Sequence, residues 1–255
     1  MGGRLRTLLE EVTDRFPGLD DPGEAINSGD VLVGGIPVQN PGSLVRPGSS
    51  VALRSAQPLR GARKLEAALD RFGVDAGGRV ALDLEAAAGD FSSVLLAHGA
   101  SRVYSVDAGH GQLLGSLRQD PRVVNLESTN LAELDRTRIP ERIELITMDL
   151  SNLAIARAVP QVDGSILAAS ADLLALVKPM FELGLSRLPT SEGQLEEAVE
   201  RAASGTEAAG WRVVDRMRSP VLGARGAVEF FVHASRDGPG PDAPEDRRLP
   251  RDAPR

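Results

Sequence analysis

Two lysines are the residues of this chain best suited to proton transfer. Among the 29 basic residues only Lys64 and Lys178 are lysines, and all the others are arginines. A lysine amine can lose its proton in surroundings that favour the neutral form, whereas an arginine guanidinium stays charged in proteins. Because the chain uses arginine almost everywhere else, we expect these two lysines to have a chemical role.

A loop with the position of a cofactor site runs from Asp83 to Phe91 and reads DLEAAAGDF. In open α/β sheets, ligands bind beyond the carboxyl ends of the strands, commonly over the first strand-to-helix loop. Such loops favour glycine because the backbone must approach the ligand closely, yet Gly89 is the only glycine here. Asp107 ends the next predicted strand, where a carboxylate typically accepts hydrogen bonds from ribose hydroxyls. An aspartate after a strand is also a common turn residue, and both interpretations stay open.

Composition excludes several kinds of site. The 255-residue chain has no cysteine, which rules out disulfides, thiolate metal sites and a cysteine nucleophile. Its histidines, His98, His110 and His233, are too scattered to predict a zinc site. No apolar run reaches the ~18 residues of a membrane span and the N-terminus has no signal pattern, so we expect a cytoplasmic protein. The net charge of −7 argues against a surface covered with phosphate-binding groups.

Strands and helices alternate from about residue 60, which predicts an α/β fold with a mostly parallel sheet covered by helices on both faces. The last two strands are joined by a short turn containing proline and glycine, and we expect them to form an antiparallel pair at the sheet edge. Helices are predicted at 62–72, 91–99, 112–119 and 192–209, and strands at 79–84, 102–107, 122–127, 143–150, 173–179, 211–219 and 227–235.

The two ends of the chain have a different character. Residues 4–16 predict a helix with Leu5, Leu8, Leu9, Val12 and Phe16 on one face. Residues 31–41 predict a strand, a Gly-Gly turn and a second strand, and 50–53 a further strand. The last 20 residues contain five prolines and almost no apolar residue, which predicts a tail without fixed structure. The predicted organisation is a small module over 1–57, a Rossmann-like domain over 58–235 and a tail over 236–255.

Several long motifs in the central region resemble one protein family. RGARKLEAALDRFGVDAGGRVALDL is similar to the start of its catalytic domain, and SRVYSVDAGHGQLLGSLRQDPRVVNLESTNL to its second and third strands. IELITMDLS, LALVKPMFELG and SPVLGARGAVEFFVHA match its later strands in order and spacing. The family is the TlyA (hemolysin A) group of 2'-O-methyltransferases, which is of the wider FtsJ type. The resemblance covers about residues 60–235 and implies a Rossmann-like methyltransferase fold.

The resemblance also implies a catalytic set of four polar residues: Lys64, Asp149, Lys178 and Glu229. Lys178 would be the base, Asp149 would hold it, and Lys64 and Glu229 would position the hydroxyl. An alcohol is a poor nucleophile until its proton is taken or polarised, which is the task of such a set. The implied cofactor is S-adenosylmethionine and the implied substrate is the ribose 2'-hydroxyl of ribosomal RNA. The implied cofactor-binding residues are Asp83, Glu85, Ala86, Gly89, Phe91, Asp107 and Asn130.

Two residues depart from the family's cofactor loop. Glu85 replaces a glycine that lies against the methionine part of the cofactor in the family, and Asp90 replaces a later glycine. A carboxylate near the cofactor carboxylate predicts weaker S-adenosylmethionine binding, because like charges in a confined site repel. Alternatively, Glu85 turns away to a helix N-terminus or a nearby arginine.

The N-terminal module departs as well. GDVLVGGIPVQNPGSLVRPGSSVAL is similar to the end of the family's S4-type RNA-binding domain. Residues 1–59 contain five arginines and seven acidic residues, a charge of −2, which weakens the prediction of RNA binding. Two alternatives to an RNA methyltransferase therefore remain. One is an enzyme on the same scaffold that uses the polar set for acid-base chemistry on a small molecule without methyl transfer, and the other is a non-catalytic binding protein.

Overall fold

The N-terminal part forms two small antiparallel sheets and two short helices. A computed structural model of the protein describes residues 5–16, 21–46, 48–53 and 60–237. One sheet has the strand order β3-β2-β5 and the other pairs β1 with β4. Buried Leu8, Val12 and Ile26 pack with valines of the strands. The elements are β1 (Arg6–Thr7), α1 (Leu8–Arg15), α2 (Pro22–Asn27), β2 (Val31–Val33), β3 (Ile36–Pro37), β4 (Leu44–Val45) and β5 (Val51–Leu53).

The hairpin predicted at 31–41 and the strand predicted at 50–53 are confirmed. The predicted start of the first helix at residue 4 is wrong, because Thr7 caps α1 with a capping box formed with Glu10. Leu5 and Leu9 are exposed rather than part of the buried face. The helix α2 and the strands β1 and β4 were not predicted, because elements of two to six residues show too little periodicity.

The remaining described chain forms one seven-stranded sheet in the order β11-β12-β10-β9-β6-β7-β8. The strands β6 to β10 are parallel to their neighbours within that set, and β12 is antiparallel to both β10 and β11. The predicted α/β fold and the antiparallel pair at the edge are therefore confirmed. The strands are β6 (Val80–Leu84), β7 (Arg102–Asp107), β8 (Val123–Glu127), β9 (Ile143–Met148), β10 (Leu167–Val177), β11 (Arg212–Arg218) and β12 (Phe230–Asp237).

Helices cover both faces of this sheet, and each face has its own apolar core. Successive side chains of a strand point to opposite faces, so Leu145 and Ile146 of β9 belong to different cores. Leu65 and Leu95 of α3 and α4 pack on one face, and Ala202 of α8 packs on the other. The helices are α3 (Arg60–Phe72), α4 (Asp90–Ala97), α5 (Gly115–Gln119), α6 (Ile155–Ala158), α7 (Pro179–Glu182) and α8 (Glu192–Ala208).

Several predicted boundaries in this domain are wrong. The strand β10 begins at Leu167, six residues before the predicted start at 173, and α5 begins at Gly115 rather than at 112. The strand β12 reaches Asp237, so the first two residues of the predicted tail belong to the sheet. The rest of that tail, 238–255, lies outside the described residues. In the described part of the chain, no helix is both long enough and apolar enough to cross a membrane.

Candidate active site

The loop after β6 has backbone angles that favour glycine at two positions where other residues stand. Glu85 and Ala87 have φ angles of 61° and 47°, in the left-handed region that costs a non-glycine residue about 1–2 kcal/mol. The backbone N–H of Ala86 donates to the carbonyl of Val106 at 3.0 Å, and that of Ala87 donates to Asp107 Oδ2 at 2.8 Å. Contacts with β7 therefore hold the loop in this conformation.

Gly89 is required both by its backbone and by its neighbours. Its φ of 97° is one that L side chains rarely adopt, and an added Cβ would lie 2.1 Å from Leu117 Cδ1 and 2.9 Å from Leu113 Cδ1. Phe91, two residues further on, is buried and stacks on Phe231 of β12 with ring centroids 6.1 Å apart. These two predicted site residues therefore anchor the loop and α4 to the core.

Asp107 and Asn130 border a cavity of about 200 Å³ beyond the ends of β6 and β7. Asp107 Oδ2 accepts from Ala87, and its Oδ1 accepts from the backbone N–H of Gly109 at 2.7 Å. Asn130 is exposed, and its side-chain amide donates to Glu133 at 2.9 Å. Asp107 therefore stabilises the turn after β7, as one of the two interpretations predicted. It also borders a cavity whose other lining residues are largely apolar.

A second cavity, of about 300 Å³, lies under the loop and is bordered by Asp83, Ala86 and Phe91. Asp83 is 1% exposed and accepts hydrogen bonds from Ser92 Oγ at 2.7 Å and Thr147 Oγ1 at 2.9 Å. Burial raises the pKa of Asp83 to about 7, against the opposing effect of the two hydroxyl donors. This carboxyl is therefore a buried support of the loop with an unusual affinity for a proton.

The two residues that depart from the family loop have different partners. Asp90 Oδ2 accepts from the backbone N–H of Gly61, 3.0 Å away in the first turn of α3. Glu85 Oε2 accepts from the backbone N–H of Ser151, in the segment after β9. The destinations predicted for Glu85, a helix N-terminus or an arginine, are therefore wrong, and Asp90 is the residue bound to a helix N-terminus. Glu85 borders both the 200 Å³ and the 300 Å³ cavities, so it lies where they meet.

The four polar residues form two ion pairs. Lys64 of α3 lies 2.6 Å from Glu229 Oε2, just before β12, and both side chains are buried. Lys178 follows β10, and its Nζ lies 2.6 Å from Oδ1 of Asp149, which follows β9. Each lysine therefore has its own carboxylate partner.

Lys178 connects the ion pairs to the cavities. Lys64, Lys178 and Glu229 border a third cavity of about 550 Å³. Lys178 and Ser151 border both this cavity and the 300 Å³ cavity under the loop. A hydroxyl bound in the larger cavity and an electrophilic group bound in the cavity under the loop can therefore approach each other next to Lys178.

Sequence reasoning missed two residues that border the larger cavity and one that lies against Glu229 in its wall. Gly223 is the residue against Glu229, since a Cβ there would lie 2.0 Å from Glu229 Oε1. Arg187 and Arg225 are the others, and both are exposed at the cavity. The sequence GARG at 223–226 indicates a tight turn. The local sequence does not show which side chains lie next to that turn in the folded protein.

The described fold is a Rossmann-like domain with cavities beyond the carboxyl ends of its parallel strands. Lys64, Asp149, Lys178 and Glu229 border these cavities or the larger one. The model of the FtsJ-like methyltransferase family matches residues 58–236. The chain belongs to this family, and it is a methyltransferase with S-adenosylmethionine as its cofactor. The predicted family resemblance is confirmed.

Similar proteins extend the match beyond the catalytic domain. The chain is 37% identical over 218 residues to the 16S/23S rRNA (cytidine-2'-O)-methyltransferase TlyA of Mycobacterium tuberculosis, covering 82% of this chain and 81% of the relative. It is 33% identical to hemolysin A of Brachyspira hyodysenteriae, covering 67% and 73%. A solved structure described as a hemolysin, from Streptococcus thermophilus, is similar with a TM-score of 0.67 and 26% identity, covering 94% of this chain and 92% of that one.

Proposed function

We propose that this protein transfers a methyl group from S-adenosylmethionine to a ribose 2'-hydroxyl of ribosomal RNA. The names of the relatives from Mycobacterium tuberculosis and Campylobacter jejuni, both rRNA (cytidine-2'-O)-methyltransferases, support this substrate. A ribosomal substrate also favours action in the cytoplasm. The alternatives of small-molecule acid-base chemistry and of a non-catalytic protein gain no support from these relatives.

The position of Lys178 is the observation that carries the proposal. It borders the cavity that contains Lys64 and Glu229 and also the cavity under the cofactor loop. Methyl transfer needs the acceptor oxygen and the methyl donor to approach from two sides of one point. Lys178 lies at such a point, within 2.6 Å of the Asp149 carboxylate that holds its side chain.

The two cavities next to the cofactor loop, of about 200 and 300 Å³, suit the two halves of the cofactor and are called the loop-side cavities. The smaller one combines apolar walls with Asp107 and Asn130, as a nucleoside requires, and the other offers loop backbone and polar groups to an amino-acid chain. Glu85 lies between them and is half-buried, so its flexible side chain can turn when a ligand spans both. We propose that Asp83, Ala86, Gly89 and Phe91 maintain the loop while Asp107 and Asn130 contact the nucleoside.

The bound cofactor supplies an electrophilic methyl group on a sulfonium. The residues of this chain prepare the acceptor. We propose that the neutral Lys178 amine accepts the proton of the acceptor 2'-hydroxyl, and that Asp149 holds Lys178 in position. Lys64 and Glu229 orient the hydroxyl from within the larger cavity. General-base help of this kind contributes about 10² to 10⁴ in rate.

The N-terminal module would contribute less to RNA binding than its counterpart in the family. We propose that residues 1–57 form a divergent S4-like module. Arg6 is paired with Glu11 and Asp14, and Arg15 with Glu11, so these positive charges are neutralised inside the module. The catalytic domain must then supply much of the RNA contact.

Methyl transfer to unmodified transcripts of 16S and 23S rRNA tests the proposal. Radiolabelled S-adenosylmethionine reports incorporation, and mass spectrometry of the digested RNA identifies the modified nucleoside. We expect a 2'-O-methylnucleoside with the wild type and none with Lys178→Ala. Incorporation into a base, or none into either RNA under conditions where the protein binds the cofactor, would refute the proposal.

A further inference from the structure

Two arginines at the larger cavity lack the carboxylate partners that most other described arginines have. Arg187 lies between α7 and α8, and Arg225 lies in the turn between β11 and β12. In the described part of the chain neither guanidinium forms a hydrogen bond or an ion pair with another residue. On the neighbouring helix α8 and edge strand β11, by contrast, Arg201 is paired with Glu197 and Arg216 with Glu200.

Their exposure stands out because acidic residues are in excess. The chain has 36 acidic and 29 basic residues, so an exposed arginine usually finds a carboxylate. Four positive side chains, Lys64, Lys178, Arg187 and Arg225, nevertheless border the larger cavity. Glu229 and Asp149 pair with the two lysines, so the two arginines give the excess positive charge. The cavity is thus a locally positive site in a protein of net charge −7.

The backbone of Arg225 strengthens the argument. Its φ of 56° and ψ of 24° are left-handed, a conformation that glycine adopts at lower cost. The turn is closed by its own backbone, since Gly223 N–H donates to the Ala227 carbonyl at 2.8 Å and Ala227 N–H donates to the Ala224 carbonyl at 3.1 Å. A glycine would therefore serve the turn better, and the arginine side chain has no hydrogen bond or ion pair with any described residue to offset its cost. Binding of a molecule other than this chain would account for the arginine at this position.

We infer that Arg187 and Arg225 bind the phosphodiester backbone of the RNA on either side of the nucleotide that enters the cavity. This inference rests on the proposed function and adds the residues that hold the substrate. A guanidinium is planar and offers paired donors that match two phosphate oxygens. Two such groups on separate loops would fix the register of a strand whose 2'-hydroxyl reaches Lys178, which an acidic protein could not achieve through its overall charge.

The experiment measures RNA binding as a function of salt with the full-length protein. Unmodified 16S and 23S rRNA transcripts are titrated at several salt concentrations with the wild type, Arg187→Ala, Arg225→Gly and the double variant. Arg136→Ala is the matched control, because Arg136 is exposed before the amino-terminal end of β9, at the opposite end of the sheet. Each phosphate contact on a single strand contributes about 0.7 to the slope of log affinity against log salt.

We expect each single cavity variant to lower the slope by about 0.7 and the double variant by the sum, with Arg136→Ala unchanged. Arg225→Gly should melt at or above the wild-type temperature, and its affinity for S-adenosylmethionine by calorimetry should be unchanged, which separates lost RNA contact from lost folding. Wild-type methylation of RNA with unaltered slopes in the double variant would overturn this inference alone. A wild type that neither binds nor methylates RNA would overturn the proposed function and the inference together.

Discussion

The Glu85 carboxylate accepts a hydrogen bond from the backbone N–H of Ser151, with 2.5 Å between Oε2 and the nitrogen. This bond joins the loop after β6 to the segment after β9 at the place where the two loop-side cavities meet. A ligand that spans both cavities must move this side chain. We therefore expect Glu85 to affect how well the chain binds its cofactor.

Replacing Glu85 should strengthen cofactor binding. A negative charge near the cofactor carboxylate costs about 1 kcal/mol or more, so Glu85→Gly should bind S-adenosylmethionine about fivefold or more tightly. Glycine also suits the φ of 61° at this position. Isothermal titration calorimetry with S-adenosylmethionine and S-adenosylhomocysteine measures the change, and Glu85→Gln separates charge from size. Weaker binding of S-adenosylmethionine by both variants would mean that the carboxylate attracts the sulfonium instead.

Lys178 should be needed as an amine and not only as a positive charge. Lys178→Ala is expected to lower the methyl-transfer rate by a factor of about 10² to 10⁴, the usual contribution of a general base. Lys178→Arg keeps the charge but cannot accept a proton, so we expect it to be equally slow. Single-turnover rates at saturating cofactor provide the measurement. Near-normal activity of the arginine variant would assign Lys178 an electrostatic role.

Gly223 should be essential for the placement of Glu229. A Cβ at this residue would lie 2.0 Å from Glu229 Oε1, although the backbone φ of −71° accepts alanine. Gly223→Ala should displace the carboxylate from Lys64 and lower methyl transfer at least tenfold, with a smaller effect on cofactor affinity. Gly193→Ala is the matched control, because nothing lies within 4 Å of a Cβ there. Equal activities of the two variants would contradict the prediction that Gly223 places Glu229.

Asp83 should make the protein less stable as pH rises from about 4 to 7. Its pKa is raised from 3.8 to about 7 by burial, so the folded state holds a proton that the unfolded state loses above its own pKa. The contribution of Asp83 to the free energy of unfolding is therefore largest below about pH 4. It falls between about pH 4 and 7 and stays constant above about pH 7. At about 1.4 kcal/mol per tenfold change in proton affinity, the loss is on the order of 4 kcal/mol.

Urea unfolding at several pH values, compared between the wild type and Asp83→Asn, isolates this contribution from those of other groups. An asparagine can still accept from Thr147 and donate to Ser92, whose hydroxyl can bond to Ser105. The variant should therefore lack the decline between pH 4 and 7. Parallel pH curves for the two proteins would mean that Asp83 is ionised in the folded state at neutral pH.

Much of the catalytic domain follows from local patterns in the sequence. Strand β7 was predicted with its observed bounds, because a buried strand with a helix on each side has an apolar run and turn residues at both ends. The choice of Lys64, Asp149, Lys178 and Glu229 came instead from the resemblance to the TlyA family. Short elements such as β4 and α2 were missed, since they depend on tertiary pairing rather than on periodicity.

The tertiary structure alone decided how these residues are combined. Lys64 and Glu229 are 165 positions apart, and only the neighbouring positions of α3 and β12 bring them to 2.6 Å. The partner of Glu85 is a backbone N–H, which carries no sequence signal. The exposure of Arg225 depends on which carboxylates the fold places within reach. Local preferences determine the elements of this protein, and distant contacts, which the chain makes only when the sheet is assembled, determine its chemistry.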